Sequence, residues 1–290
     1  MKNSIKAIFA MLAILPCVLF FTACGGEKIS TEDAQAAFAA ATATTGSYDS
    51  DFKLEINGKF VAYTAFTEKD KDEKIELKAT IKKSGKATGT DGVPDIKDVK
   101  ASLAAEIKVD GSKEATKLNA VAGTIGDELV LVNDTKNKTY ISADAYSDIF
   151  AEDIAGLIQA AMTLMPSGGE DIMIGLDAFD FESETMKLTA EKTGDKDYSL
   201  KFKGYHIFEY GVKLSGEVTI EIKDNKFSKI TVNLDVLTSA TDESAKDPDN
   251  YKTKAMHLEG SVKISYDKQS ITLPSSLEGY TDVTPAAPAK

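Results

Sequence analysis

The chain runs to 290 residues and carries 34 basic against 46 acidic side chains, a net charge of −12. That balance repels phosphate backbones and anionic headgroups, which argues against nucleic acid and against electrostatic docking to a membrane. Every basic residue is a lysine, so the planar fork that grips carboxylates and phosphates bidentately is missing.

In chain order, Lys2 and Lys6 form a short positive region, and Ala7 to Phe21 is an uncharged apolar run of 15 residues. Small residues then lead through Thr22 and Ala23 to Cys24, the layout of a secretory signal peptide. The run falls short of the roughly 20 apolar residues a spanning helix needs, and Pro16 interrupts it. Phe21-Thr-Ala-Cys24 resembles the lipobox of bacterial lipoproteins, departing from it in having Phe21 where that family usually has leucine. The resemblance implies cleavage before Cys24 and acylation of that cysteine. Two or more acyl chains would hold a membrane stably, at about 0.8 kcal/mol per buried methylene. Residues 1–23 are accordingly expected to be a cleaved signal peptide and 24–30 a lipidated tether, with Gly25 and Gly26 supplying flexibility. Without Lys2 and Lys6 the balance becomes 32 basic against 46 acidic, or −14. Cys24 is then the single cysteine, which leaves no intramolecular disulfide and no thiolate metal site.

A short Ala-rich helix is predicted next. Ser30 or Thr31 can cap it, Glu32 and Asp33 suit its positive end, Phe38 lies on one face, and Gly46 is a natural stop. Strands follow by period-two alternation. Phe52, Leu54 and Ile56 share a face and lead to Asn57-Gly58, which reads as a hairpin turn. Ile75, Leu77, Ala79 and Ile81 alternate with lysine, glutamate and threonine, as do Leu103, Ala105, Ile107 and Val109 up to Asp110-Gly111. The polar stretch from Ser84 to Asp98 reads as a long loop.

Residues 128–142 form a hairpin around Asn133 and Asp134, with Tyr140 on the returning strand and a helical pattern after it. This order is similar to that of the LolA/LolB-type lipoprotein carriers and the related LppX/LprG lipoproteins, as is the Ile271-Thr-Leu-Pro274 ending. The resemblance, in element order and composition over residues 30–283, implies an open half-barrel with helices in its mouth. It transfers no functional residue: the arginine known to help close the LolA cavity has no counterpart in a chain without arginine.

From Ala143 to Met165, apolar residues recur at spacings of three and four, with Ile149, Phe150, Ile154, Leu157, Ile158, Met162 and Met165 forming one stripe. Such a stripe is either the lining of an apolar ligand site, which flexible thioethers suit, or plain core packing against a sheet. Beyond it, Met186, Leu188 and Ala190 lead through Gly194-Asp195 to Tyr198, Leu200 and Phe202. Long alternating strands follow over 212–222 and 230–236, then a polar loop from Ser239 to Lys254 and a strand through Met256, Leu258, Val262 and Ile264. Residues 284–290 are expected to be a disordered tail.

Strands with one apolar and one charged face describe an antiparallel sheet with one side wet. The expected fold is mainly β with a few helices (α+β): a single domain over 31–283, a curved antiparallel sheet or half-barrel with helices packed on its concave face. No nucleophile elbow, dinucleotide fingerprint, phosphate loop or zincin motif occurs, so no enzyme is expected. His257 falls on the polar side of its strand, and the Asp-rich stretches 91–98 and 242–249 lack the pattern of a calcium loop, so neither metal nor cofactor is expected. The expectation is a monomeric envelope lipoprotein on the cell or outer membrane, its domain in the periplasm or at the cell surface. It would bind or carry lipid or another hydrophobic ligand. The alternative is a structural or surface-exposed lipoprotein with a filled core that mediates protein or host contacts.

Overall fold

In the computed structural model the described residues are 26–45, 51–63, 71–85, 98–142, 185–208, 212–239 and 251–283. They form one helix and thirteen strands. In chain order these are β1 (Glu27–Lys28), α1 (Thr31–Thr45), β2 (Phe52–Ala62), β3 (Glu73–Ser84), β4 (Lys100–Val109), β5 (Thr116–Ile125) and β6 (Glu128–Asp134). Then come β7 (Thr139–Ser142), β8 (Met186–Lys192), β9 (Tyr198–Phe208), β10 (Val212–Lys223), β11 (Lys226–Ser239), β12 (Tyr251–Ser265) and β13 (Thr281–Asp282). All thirteen strands join one curved, unclosed sheet in the order β1-β8-β9-β10-β11-β12-β2-β3-β4-β5-β6-β7-β13. Every pairing is antiparallel except β13 with β7. This is the mainly β, half-barrel architecture that the alternation implied, with one helix among the described residues.

The alternation decides which face is buried. Leu54, Ile56, Leu77, Ala79, Leu200, Phe202, Val218, Ile220, Leu258 and Val262 all point to the concave side and merge into one cluster. Their immediate neighbours in sequence, such as Glu55, Lys78, Lys201 and Glu259, point outward, so these five strands bury apolar area mainly on one side. The helix α1 lies on the concave side. Ser30 caps it, its Oγ accepting the Asp33 N–H at 3.1 Å while its hydroxyl donates to Asp33 Oδ2 at 2.8 Å. Ala34, Ala37, Phe38 and Ala41 form the buried stripe of α1, and the Phe38 ring meets Phe227 edge-on at 5.3 Å between centroids.

Turn chemistry sets several registers. Asp224 and Asn225 take φ of 50° and 55° between β10 and β11, the two-residue loop whose twist matches a hairpin. Between β6 and β7, Asp134 Oδ1 accepts the Lys136 and Asn137 N–H groups at 2.9 and 2.8 Å. The Thr193 N–H donates to the Asp197 carbonyl at 2.9 Å in the turn expected at Gly194-Asp195.

Three readings change, and one strand, β5, is found that no alternation announced. Asn57-Gly58 is the middle of β2 and not a turn, because β12 on one side and β3 on the other pair straight through it. Gly58 faces Gly260 in register, and the Phe60 ring covers the bare backbone at 3.1 Å from where a Cβ would stand. β5 escapes the alternation rule, since Thr-Lys-Leu-Asn-Ala-Val-Ala-Gly-Thr-Ile carries small and polar residues on both faces. β12 begins at Tyr251, so the loop before it is shorter than its polar composition implied. Finally, residues 27–28 of the expected tether pair with β8.

Candidate functional site

The concave face is filled at one end and partly open at the other. Phe227, Ile222, Leu200 and Ala190, buried among the cluster with α1, close the end where β9 begins and β10 stops. Toward the opposite end the same face carries a cross-strand row in register: His206, Leu214, Val236, Met256, Ala62 and Glu73. All six are half-buried, unlike the fully buried rows beneath α1. A second half-buried apolar strip continues the concave face over β4 to β7 through Ala101, Leu103, Leu129, Leu131 and Ile141. Leu118 beside it is 37% exposed.

The remaining features lie on the outer face. There the segment after β12 wraps back over β5, β6 and β7. Leu273, Leu277 and Tyr280 pack on Ile125, Val130 and Val132, so the Ile271-Thr-Leu-Pro274 ending is a strap that covers an apolar patch. A shallow depression of about 290 Å³ sits over the Gly58–Gly260 pair, rimmed by Asn57, Lys59, Glu76, Lys78, Glu259 and Ser261. Its rim residues lie on the polar side of the sheet. His257 faces outward as its strand position implied, but it is not simply solvated. Its Nδ1 lies 3.0 Å from Asp235 Oδ1, and Lys254 Nζ lies 2.6 Å from Asp235 Oδ2. Partial burial pushes the Asp235 carboxyl up, yet hydrogen bonds from Lys254 and His257 outweigh it and hold the group below the usual carboxylate value. The hydrogen bond to Asp235 raises the Lys254 ammonium in turn.

Cys24 and the stripe Ile149, Phe150, Ile154, Leu157, Ile158, Met162 and Met165 lie outside the described residues. The half-buried concave row was legible as alternation but not as a site, because alternation reports which way a side chain points and not what covers it. His206 follows Leu200 and Phe202 in that alternation, and only the register shows that it stands beside Leu214. Among the described residues no group of three or more His, Cys, Asp or Glu could hold a metal ion. No described helix is long and apolar enough to cross a membrane.

No protein-family model matches the chain, and no curated protein matches it. Among solved structures, it is similar to a beta-barrel-like protein of a domain of unknown function, DUF1849, from Brucella abortus. That match has a TM-score of 0.23 and 7% identity, over 76% of this chain and 99% of that one. It is also similar to a DUF1329 family protein from Desulfovibrio piger, with a TM-score of 0.19 and 8% identity, over 83% of this chain and 94% of that one. Scores of this size bear on neither fold nor function.

Proposed function

We propose that this chain is a lipid-anchored envelope protein that holds a hydrophobic ligand against the concave face of its sheet, without catalysis. One observation carries the reading: the apolar concave face extends beyond what α1 covers, and its outlying rows are left half-buried. Proteins rarely leave contiguous apolar surface of this kind without a partner for it. In this reading Cys24 supplies the membrane attachment, and the resemblance to the LolA/LolB-type carriers in element order supports a carrier over a catalyst.

Native mass spectrometry of protein purified gently from its own membranes tests the ligand. A co-purifying lipid is the expected result, and a chain that carries none in repeated preparations sinks the reading. Leu157→Lys or Met162→Lys should then release the lipid while leaving the protein folded. Unfolding instead would favour plain core packing. For the anchor, Cys24→Ser should abolish incorporation of labelled fatty acid and move the protein to the soluble fraction.

A further inference from the structure

Resting on the Cys24 anchor of that reading, we propose that the domain stands on its own membrane by the closed end of its sheet, held there by β1. A free tether over residues 24–30 would let the domain drift about 25 Å from the acylated cysteine. The fold removes most of that length. Glu27 pairs with Lys192 and Lys28 with Glu191, the Ile29 N–H donates to the Ala190 carbonyl at 3.1 Å, and the Gly26 N–H donates to Glu191 Oε2 at 3.4 Å. Ile29 packs on the core cluster and Ser30 caps α1, so peeling β1 away would uncover Ile29 and pull on the helix. Gly26 is therefore fixed two residues from Cys24, a reach of about 7 Å. A headgroup layer is itself about 5–8 Å thick, so this corner of the fold rests on it.

What stands at that corner suits a bilayer surface. β1 lies beside the last residues of β8, where Lys192 pairs with Tyr198 and Tyr198 with Ile222. The turns after β8 and β10 stand next to it and brace each other. The Asn225 N–H donates to the Lys196 carbonyl at 3.2 Å, and the Asp224 N–H to Asp197 Oδ1 at 3.0 Å. The charges exposed on β1 and these turns balance, with Glu27, Asp195 and Asp224 against Lys28, Lys196 and Lys223. The corner thus meets anionic headgroups without the repulsion that a net charge of −12 gives the whole chain. From Tyr198 to His206, β9 climbs about 26 Å along the strand, away from this corner. The half-buried rows therefore open away from the anchoring membrane, and ligand enters and leaves on the far side.

Fluorescence quenching on the acylated chain tests this, in vesicles of phosphatidylcholine and phosphatidylglycerol whose headgroups carry a nitroxide quencher. With Cys17 cleaved off and Cys24 acylated, a single introduced cysteine takes the fluorophore alone. Lys196→Cys and Lys223→Cys report the β1 corner, and Lys113→Cys and Lys252→Cys the opposite end of the sheet. The first pair should lose most of its fluorescence and the second pair almost none. About twelve Gly/Ser residues inserted between Gly25 and Gly26 leave β1 intact and should erase the difference. Equal quenching at both ends of the parent chain, stronger quenching at positions 113 and 252, or a difference that survives the insertion would overturn the orientation while leaving anchor and ligand site in place. Mass spectrometry that finds Cys24 unacylated in chain purified from its own membranes would overturn the anchor itself, and the orientation with it.

Discussion

Asp51 holds Gln269 across 218 positions of sequence: its Oδ2 accepts the Gln269 backbone N–H at 2.7 Å. Its other oxygen accepts the Gly85 N–H at 3.0 Å. One carboxylate therefore joins the entry to β2, the exit of β3 and the start of the outer strap. Asp51→Ala should strand both amides and cost about 1–3 kcal/mol in urea unfolding. Asp51→Asn should cost less, because its single amide oxygen can still accept one of the two. Equal stability of Asp51→Ala and the parent chain would show that water replaces the carboxylate.

Phe38 ties α1 to the sheet. It is 7% exposed, with its ring against Phe227. Phe38→Ala should destabilise by about 3–4 kcal/mol, the usual cost of emptying an aromatic site, and Phe38→Leu by about 1.5 kcal/mol or less. Chemical denaturation distinguishes them. A small loss for alanine would mean that α1 shifts to fill the space.

Two glycines should respond differently to alanine. At Gly216 a Cβ would lie 2.1 Å from the Asn233 carbonyl oxygen, so the β10–β11 ladder must open, and a loss of about 3 kcal/mol is expected. At Gly111, with φ of 79° and nothing within 4 Å of an added Cβ, only the left-handed backbone resists. About 1–2 kcal/mol is expected there. Thermal unfolding of the pair separates steric from conformational cost, and a reversed order would contradict the register.

Asp235 gives a pH-dependent prediction. Its carboxyl is held below the unfolded value of about 3.9, so its stabilising contribution is present above that pH and is lost as pH falls through the lower folded-state value. The side chain is 26% exposed and its lysine partner 49%, so screening limits the contribution to about 1 kcal/mol. Asp235→Asn should show that deficit near neutral pH, and the gap should close as pH is lowered below about 4. A gap that persists into strong acid would mark the residue's role as packing rather than charge.

Much of the fold is local and was readable residue by residue. The alternation in Leu54-Glu-Ile and Val218-Thr-Ile assigns faces, because successive strand side chains must point to opposite sides. The Ser30 cap and the Asp134 turn each depend on side chains within three residues of the backbone they bond. Where non-local pairing competes with local preference, pairing wins. Asn57-Gly58 has strong hairpin chemistry, yet hydrogen bonds from two flanking strands and the cover of Phe60 keep it extended. β5 and the start of β12 at Tyr251 are strands because their neighbours offer ladders, not because their own residues alternate. The candidate site belongs to the same category. Sequence alone determined that the chain would present an apolar concave face. Only the tertiary structure could set His206 beside Leu214 and the facing pair Gly204 and Gly216, because register between strands is fixed by contacts across the sheet and not along it.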